Sequence, residues 1–298
     1  EDKDKDNNNI TKNFNIIKNR GPDFSELIKI NNYFLGFHRL SINGLNDKSN
    51  QPFVKHGVYV ICNGEIYNFK QLYDKLNIKP TTDSDCEIII DLFLKFYSDK
   101  NKINVLDFIC KKLDGVFAFI IFDSNEDKIY AARDPFGVRP LFYSNDNNIT
   151  NFCSELKGLI GNNNNNLQFP PGHFYDGSNF YKYHSFGNNT YDIRPLTILT
   201  HDYNFYCNLV KNTLVAAVKK RLITDRPIAC LLSGGLDSSL ITSIVSKLLN
   251  YKIETYSIGL KDATDLKYAQ KVSEFLNTDH KEIIVEEKDF LDKISETI

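Results

Sequence analysis

The 298 residues are 42% hydrophobic and 25% charged, with a net charge of -2, the balance of a globular chain long enough for two domains of ordinary size. There is no basic excess to hold a phosphate backbone, which excludes nucleic acid as the main partner, and no apolar run approaches the roughly 20 residues that a membrane helix needs. The six cysteines contain no C-x-x-C pair, which favours buried free thiols over zinc or a disulfide framework, and the Asn-rich start does not read as a signal peptide, so the chain reads as cytoplasmic.

Residues 1–18 form a low-complexity tail, acidic and Asn-rich at its start. The chain has no Met, not even an initiator, so the natural N-terminus is expected upstream of Glu1. From residue 26 to 143, short apolar runs separated by turn residues predict strands at 33–39, 57–62, 115–122, 128–133 and 140–144. Between them, residues 85–97 carry a mostly apolar stretch suited to a largely buried helix. This half is expected to be layered α+β with antiparallel sheets. The run Asn162 to Asn166 is too polar to bury and reads as a flexible surface insertion.

Turn residues crowd positions 186–203, and a domain boundary is expected there. Beyond it the pattern becomes helical at Leu209, Leu214, Val215, Val218 and Leu222. Next come a strand at 227–232, a helix at 238–249, a strand at 253–260, a helix at 265–276, a strand at 281–285 and a last helix. Alternating strands and helices imply parallel βαβ units.

The strand at 227–232 runs into Ser233-Gly234-Gly235-Leu236-Asp237-Ser238-Ser239, which opens the next helix. Backbone N–H groups at a helix N-terminus favour an anion, so this is a phosphate site. Gly234 and Gly235 permit close approach of a ligand, the three serines offer hydroxyl donors, and Asp237 can hold Mg2+ beside the phosphates. The string lacks the Gly and Lys spacing of the usual P-loop. It resembles the PP-loop of the N-type ATP pyrophosphatases, which implies ATP as cosubstrate and adenylation of a carboxylate with pyrophosphate as leaving group. By family position, Leu231 and Ile258 would pack around adenine.

Four strings in the first half agree on one family: Arg20-Gly21-Pro22-Asp23, His38-Arg39-Leu40-Ser41-Ile42, Asn63-Gly64-Glu65-Ile66-Tyr67-Asn68, and Arg133-Asp134-Pro135-Phe136-Gly137-Val138-Arg139-Pro140-Leu141. They resemble the glutaminase domain of class II glutamine amidotransferases. With the PP-loop behind them, the whole resembles the glutamine-hydrolysing asparagine synthetases over nearly all of residues 19–285. The implied fold is an α+β N-terminal nucleophile-type glutaminase sandwich over 19–190. It is followed over 204–298 by the first part of an α/β parallel-sheet PP-loop domain of the adenine nucleotide α-hydrolase type.

The resemblance also implies roles. Arg39 would clamp the α-carboxylate of glutamine, Glu65 and Asp85 would receive its α-ammonium, and Leu40, Ser41 and Ile42 would line the pocket. The Asn63 side-chain amide and the Gly64 backbone N–H would form an oxyanion hole. Arg133, Asp134 and Arg139 read instead as a buried structural corner. Substrates would be glutamine, aspartate and ATP with Mg2+, and a homodimer is compatible with the resemblance.

The chain departs from the family at both ends. The family nucleophile is an N-terminal Cys whose α-amino group acts as its base. This sequence opens with Glu1, so the chain as it stands is not expected to hydrolyse glutamine. Cys62 is no substitute, because strand alternation points it away from Asn63. The parallel sheet stops after about three strands, short of the acceptor site, so a fragment or truncated version of a longer synthetase is expected. Alternatives are another PP-loop amide ligase, such as a β-lactam synthetase-like enzyme, and a non-catalytic homologue.

Overall fold

A computed structural model describes residues 2–97, 102–146, 149–160, 165–185 and 202–297, and its first element is a helix, Asp2–Ile16 (α1), where composition marks only a tail. Contacts of its last turn account for the difference. Phe14 stacks on His38 with ring centroids 3.9 Å apart, its carbonyl meets His38 Nε2 at 2.8 Å, and Asn13 Nδ2 donates to the carbonyl of Ile160 at 3.1 Å. Tertiary packing thus stabilises a helix that its own residues favour weakly.

The first unit continues with β1 (Phe24–Ile30), β2 (Tyr33–Arg39), β3 (Phe53–Lys55), β4 (Val58–Ile66), α2 (Phe69–Leu76), α3 (Ile88–Phe96), α4 (Lys102–Lys112), β5 (Gly115–Asp123) and β6 (Lys128–Arg133). It ends with β7 (Phe142–Asp146), β8 (Ile149–Cys153), β9 (Asn166–Gln168), β10 (His173–Tyr175) and β11 (Phe180–Lys182). A six-stranded antiparallel sheet runs in the order β11-β10-β6-β5-β4-β3, a three-stranded one in the order β8-β7-β9, and β1 pairs with β2. The strand expected from Pro140 begins two residues later. Pro140 has no N–H to give a ladder, and the carbonyl of Leu141 is taken by Phe169 N–H at 2.9 Å. Of the polar run, residues 162–164 lie outside the described residues, and Asn166 opens β9, opposite Ser144.

Alternation along β5 separates two cores. Phe117, Phe119 and Ile121 pack with the helix residues Ile88, Ile89, Leu92, Phe93, Leu106 and Ile109. Ala118 and Ile120 face Leu141, Phe169, Tyr143 and Phe152 on the opposite side. A helical layer, the long sheet and the short sheet therefore stack around strands buried on both faces, as layered α+β packing requires. The helix expected over 85–97 forms as a 3-10 turn, Asp85–Glu87, followed by α3. Ile88, Ile89, Ile90, Leu92 and Phe93 in it are buried.

The described chain divides into two compact units, Glu1–Asp192 and Ile193–Ile298. The expected boundary stretch, 186–201, lies outside the described residues. The second unit has a helix Tyr203–Lys220 and a parallel sheet of β12 (Ala229–Leu231), β13 (Glu254–Leu260) and β14 (Asp279–Val285), with helices Leu236–Leu248, Thr264–Leu276 and Glu287–Thr297. None of the described helices is long and apolar enough to cross a membrane.

Candidate functional site

Register decides which way the Asn63-Gly64-Glu65 string faces. Cys62 lies opposite Phe119 and Asn63 opposite Ala118, so Cys62 packs in the helix-side core while Asn63 points to the other face, as strand alternation predicts. Asn63 Nδ2 is buried and has no hydrogen-bond partner. A buried amide donor left unpaired costs about 1–3 kcal/mol, which the fold recovers when a ligand oxygen reaches it. Gly64 lies opposite Phe117, where a Cβ would fall 2.5 Å from the Val116 carbonyl and 2.9 Å from the Phe117 Cα. No side chain fits while β4 and β5 stay this close.

Asp85, at the start of the 3-10 turn Asp85–Glu87, and Arg39, the last residue of β2, come to the same region. Asp85 is 6% exposed, and its Oδ2 accepts the N–H of Ile66, the last residue of β4, at 2.6 Å. Burial pushes its carboxyl up, hydrogen bonds from Ile66 and Asn43 oppose this, and Glu65 is near enough to add to the rise. Burial lowers the Arg39 guanidinium, against the pull of Asp23, Asp47 and Asp85. Glu65 pairs with Arg139 at 2.6 Å.

The Arg39 fork is engaged by the loop after β2. Nη1 donates to the Asn46 carbonyl at 3.1 Å and to Asn50 Oδ1 at 2.6 Å, and Nη2 donates to the carbonyls of Asn43, at 3.1 Å, and Gly44. Four acceptors match the four hydrogens of the two terminal nitrogens, so in this arrangement the guanidinium organises residues 43–50. Asp23 anchors the following turn by accepting Ser41 N–H at 2.7 Å. Leu40 is 60% exposed, and Ile42 is half-buried.

The corner after β6 is structural, as its residues suggest. Asp134 accepts the N–H groups of Phe117, Phe136, Val138 and Arg139 at 3.0 to 3.2 Å. Arg133 donates to the carbonyls of Gly137, Arg139 and Phe169, each at 2.7 Å. The corner fixes the backbone at Arg139 and so aims that side chain at Glu65.

In the second unit the loop after β12 turns at Gly234, whose φ is +77°. A Cβ there would meet the backbone N of Ala269 at 2.5 Å, so only Gly permits both the turn and the packing on helix Thr264–Leu276. Gly235 caps helix Leu236–Leu248, and a Cβ on it would meet only Ser233 Oγ, at 3.5 Å. Ser233 and Ser238 share a hydroxyl contact of 2.9 Å, whereas Ser239 Oγ is buried without a partner. Leu231 and Ile258 are 83% and 58% exposed. Leu231 pairs with Tyr256, two residues before Ile258, which sets both on one sheet face. Exposed Asp237 in the first helical turn is one carboxylate, which with phosphate oxygens suits Mg2+. The open approach over Gly235, the unpaired Ser239 hydroxyl and the helix N-terminus fit a polyphosphate.

Residues 1–180 match the family model for a glutamine amidotransferase domain, and residues 209–298 match the asparagine synthase model. The chain belongs to the glutamine amidotransferase family. This amidotransferase chain is 36% identical over 292 residues to a probable glutamine-hydrolyzing asparagine synthetase of Acanthamoeba polyphaga mimivirus, covering 90% of the chain and 52% of the relative. It is 33% identical over 313 residues to the asparagine synthetase of Gallus gallus (95% and 54%), and 36% identical over 291 residues to a probable one of Schizosaccharomyces pombe (89% and 50%). The amidotransferase chain spans about half the length of the curated relatives it matches. Among solved structures, glutamine phosphoribosylpyrophosphate amidotransferase from B. subtilis matches over 87% of this chain and 55% of its own, at 15% identity and a TM-score of 0.44.

The amidotransferase unit thus brings together Arg39, Asp85, Glu65 and the strand of Asn63 and Gly64. Two supporting side chains carry no motif: Asn50, which takes Arg39, and Gln51, whose amide pairs with the backbone of Cys62. The one signal for Gln51 in sequence is a polar residue before Pro52, which periodicity does not register.

Proposed function

We propose that the native gene product acts as an ATP-dependent, glutamine-hydrolysing asparagine synthetase, its first unit binding the glutamine from which ammonia is released and its second, of PP-loop type, activating aspartate. The observation that carries the reading is the unpaired Asn63 Nδ2 on the strand that also bears Gly64 and Glu65. The oxygen of glutamine's side-chain amide fits that donor. When a nucleophile adds to the amide carbonyl carbon, the C=O π electrons move onto its oxygen, and Asn63 Nδ2 and the Gly64 N–H would stabilise that charge. Asp85 and Glu65 supply carboxylates for the ammonium of a zwitterionic amino acid, and Arg39 supplies the cation, its contact with the ligand carboxylate replacing one of the acceptors that the loop 43–50 gives it here, with Leu40, Ser41 and Ile42 beside them. Glutamine and water give glutamate and ammonia.

In the second unit, Ser233, Gly234, Gly235, Leu236, Ser238 and Ser239 would surround the phosphates of ATP, and Leu231 and Ile258 would offer an apolar face to adenine. Magnesium, with Asp237 as one ligand, would neutralise phosphate charge. The aspartate side-chain carboxylate attacks the α-phosphorus and expels pyrophosphate, and ammonia then displaces AMP from the mixed anhydride to leave asparagine.

The test is pyrophosphate release by the native gene product with ATP, magnesium and single amino acids. Release that requires aspartate supports the reading. Release with another carboxylic acid and none with aspartate would assign the protein to a different amide ligase.

A further inference from the structure

Glu87 is fully buried, yet Lys55 and the hydrogen bonds around it hold its carboxyl below its ordinary value, which favours the charged form. Taking a carboxylate out of water costs several kcal/mol unless good partners surround it, and the partners here are numerous. Thr82 gives its N–H at 2.7 Å and its hydroxyl at 2.8 Å, Thr81 gives its N–H at 3.1 Å and its hydroxyl, and Lys55 Nζ lies at 2.7 Å. Lys55 also holds Asp91 at 2.7 Å, which accepts the Tyr73 hydroxyl at 3.1 Å. A rigid buried cluster therefore grips a short surface segment.

What that segment holds explains why it is gripped. Next to Thr82, Asp83 accepts Asn46 Nδ2 at 2.7 Å and donates its N–H to Ser49 Oγ at 3.3 Å, and the Asn46 carbonyl is one of the acceptors of Arg39. In the other direction, Ser84 Oγ accepts Cys86 N–H at 3.3 Å, closing the turn that carries Asp85 against the Ile66 N–H. Glu87 thus stands where two connections meet, one leading to Arg39 and one to Asp85. We infer that Glu87 is a positioning residue whose carboxylate sets the spacing between Asp85 and the loop that holds Arg39, so that the two charges are fixed at one separation before the charged end of the amino-acid ligand exchanges for a loop acceptor of Arg39. The inference rests on the proposed glutamine site in the first unit.

Calorimetric titration of the chain with L-glutamine, and with 4-carbamoylbutanoate, which is glutamine without its α-amino group, tests it. Glu87→Gln should raise the Kd for glutamine about tenfold, the loss of one good charged hydrogen-bond set. Thr82→Val, which removes one donor without stranding a charge, should raise it about threefold. In both variants the preference for glutamine over 4-carbamoylbutanoate should narrow, because spacing matters only to the ligand that spans both charges. If the two ligands weaken by equal factors, or neither weakens, Glu87 is merely structural and the inference is overturned. If the unsubstituted chain binds no glutamine, the functional reading of this unit falls and the inference with it.

Discussion

Gln51 and the main chain of Cys62 exchange two hydrogen bonds, Cys62 N–H to Oε1 at 2.6 Å and Nε2 to the Cys62 carbonyl at 3.2 Å. A side-chain amide thereby acts as strand partner where β3 no longer reaches, one residue before the donor at Asn63. Gln51→Ala would strand both backbone groups in a buried site, at a cost of about 2–3 kcal/mol. A fall in melting temperature of roughly 4 to 10 °C is expected. A fall of less than a degree would show that the pairing contributes nothing.

Asn63→Ala should separate function from stability. It removes a buried donor that has no partner in the folded chain, so melting should be unchanged or slightly raised. Glutamate release by the native gene product should nonetheless drop by about 10² to 10³ in kcat, the usual cost of an oxyanion-hole donor. Loss of stability with kcat intact would place Asn63 in the core instead.

Much of this site was legible in the sequence because its chemistry rides on regular strands. The period-2 pattern of β4 and β5 correctly put Cys62 and Asn63 on opposite faces, and the Ser-Gly-Gly turn marked the start of a helix. What could not be read lies in side-chain pairing across loops. Nothing near Arg39 announces that residues 43–50 would turn back and saturate its fork, and Glu87 resembles any acidic residue at a helix start. The helix at Asp2–Ile16 was missed because its anchors, His38 and the Ile160 carbonyl, are remote in sequence.

Asp85 should trade stability for binding. Burial raises its pKa above the ordinary carboxylate value, so the folded state holds its proton to higher pH than the unfolded state does. The sign follows: stability falls as pH rises through the interval between the unfolded and folded values, and the penalty is complete above the folded value. Asp85→Asn keeps an acceptor for Ile66 N–H without the charge. At pH 7 it should melt a few degrees higher and bind glutamine at least about tenfold more weakly, from loss of the ammonium partner. A variant that melts lower at pH 7 contradicts the sign.

Glu87 should show the opposite dependence. Burial pushes its carboxyl up, but hydrogen bonds from Lys55, Thr81 and Thr82 outweigh that and hold it below its ordinary value. Its stabilisation is complete above the unfolded Glu value of about 4.3 and is lost as pH falls through the lower folded value. The melting-temperature gap between the unsubstituted chain and Glu87→Gln should therefore be widest at neutral pH and close in acid. A gap independent of pH would remove charge from the explanation.

The two glycines of the phosphate loop should differ. Gly234→Ala puts a Cβ 2.5 Å from a backbone nitrogen at φ +77°, and a loss of about 2 kcal/mol or more is expected. Gly235→Ala enters open space, so melting should hold. ATP affinity should fall about tenfold as the added methyl blocks the phosphates. Equal melting temperatures for both variants would contradict the loop geometry.

The central claim, glutamine-fed amidation of aspartate, is tested most directly by isotope transfer. The native gene product is incubated with ATP, magnesium, aspartate and glutamine labelled with 15N in its side-chain amide, and the asparagine is analysed by mass spectrometry. The expected result is 15N in the asparagine side-chain amide, with AMP and pyrophosphate formed in equal amounts. Glutamate release without labelled asparagine, or asparagine formed without pyrophosphate, would contradict it.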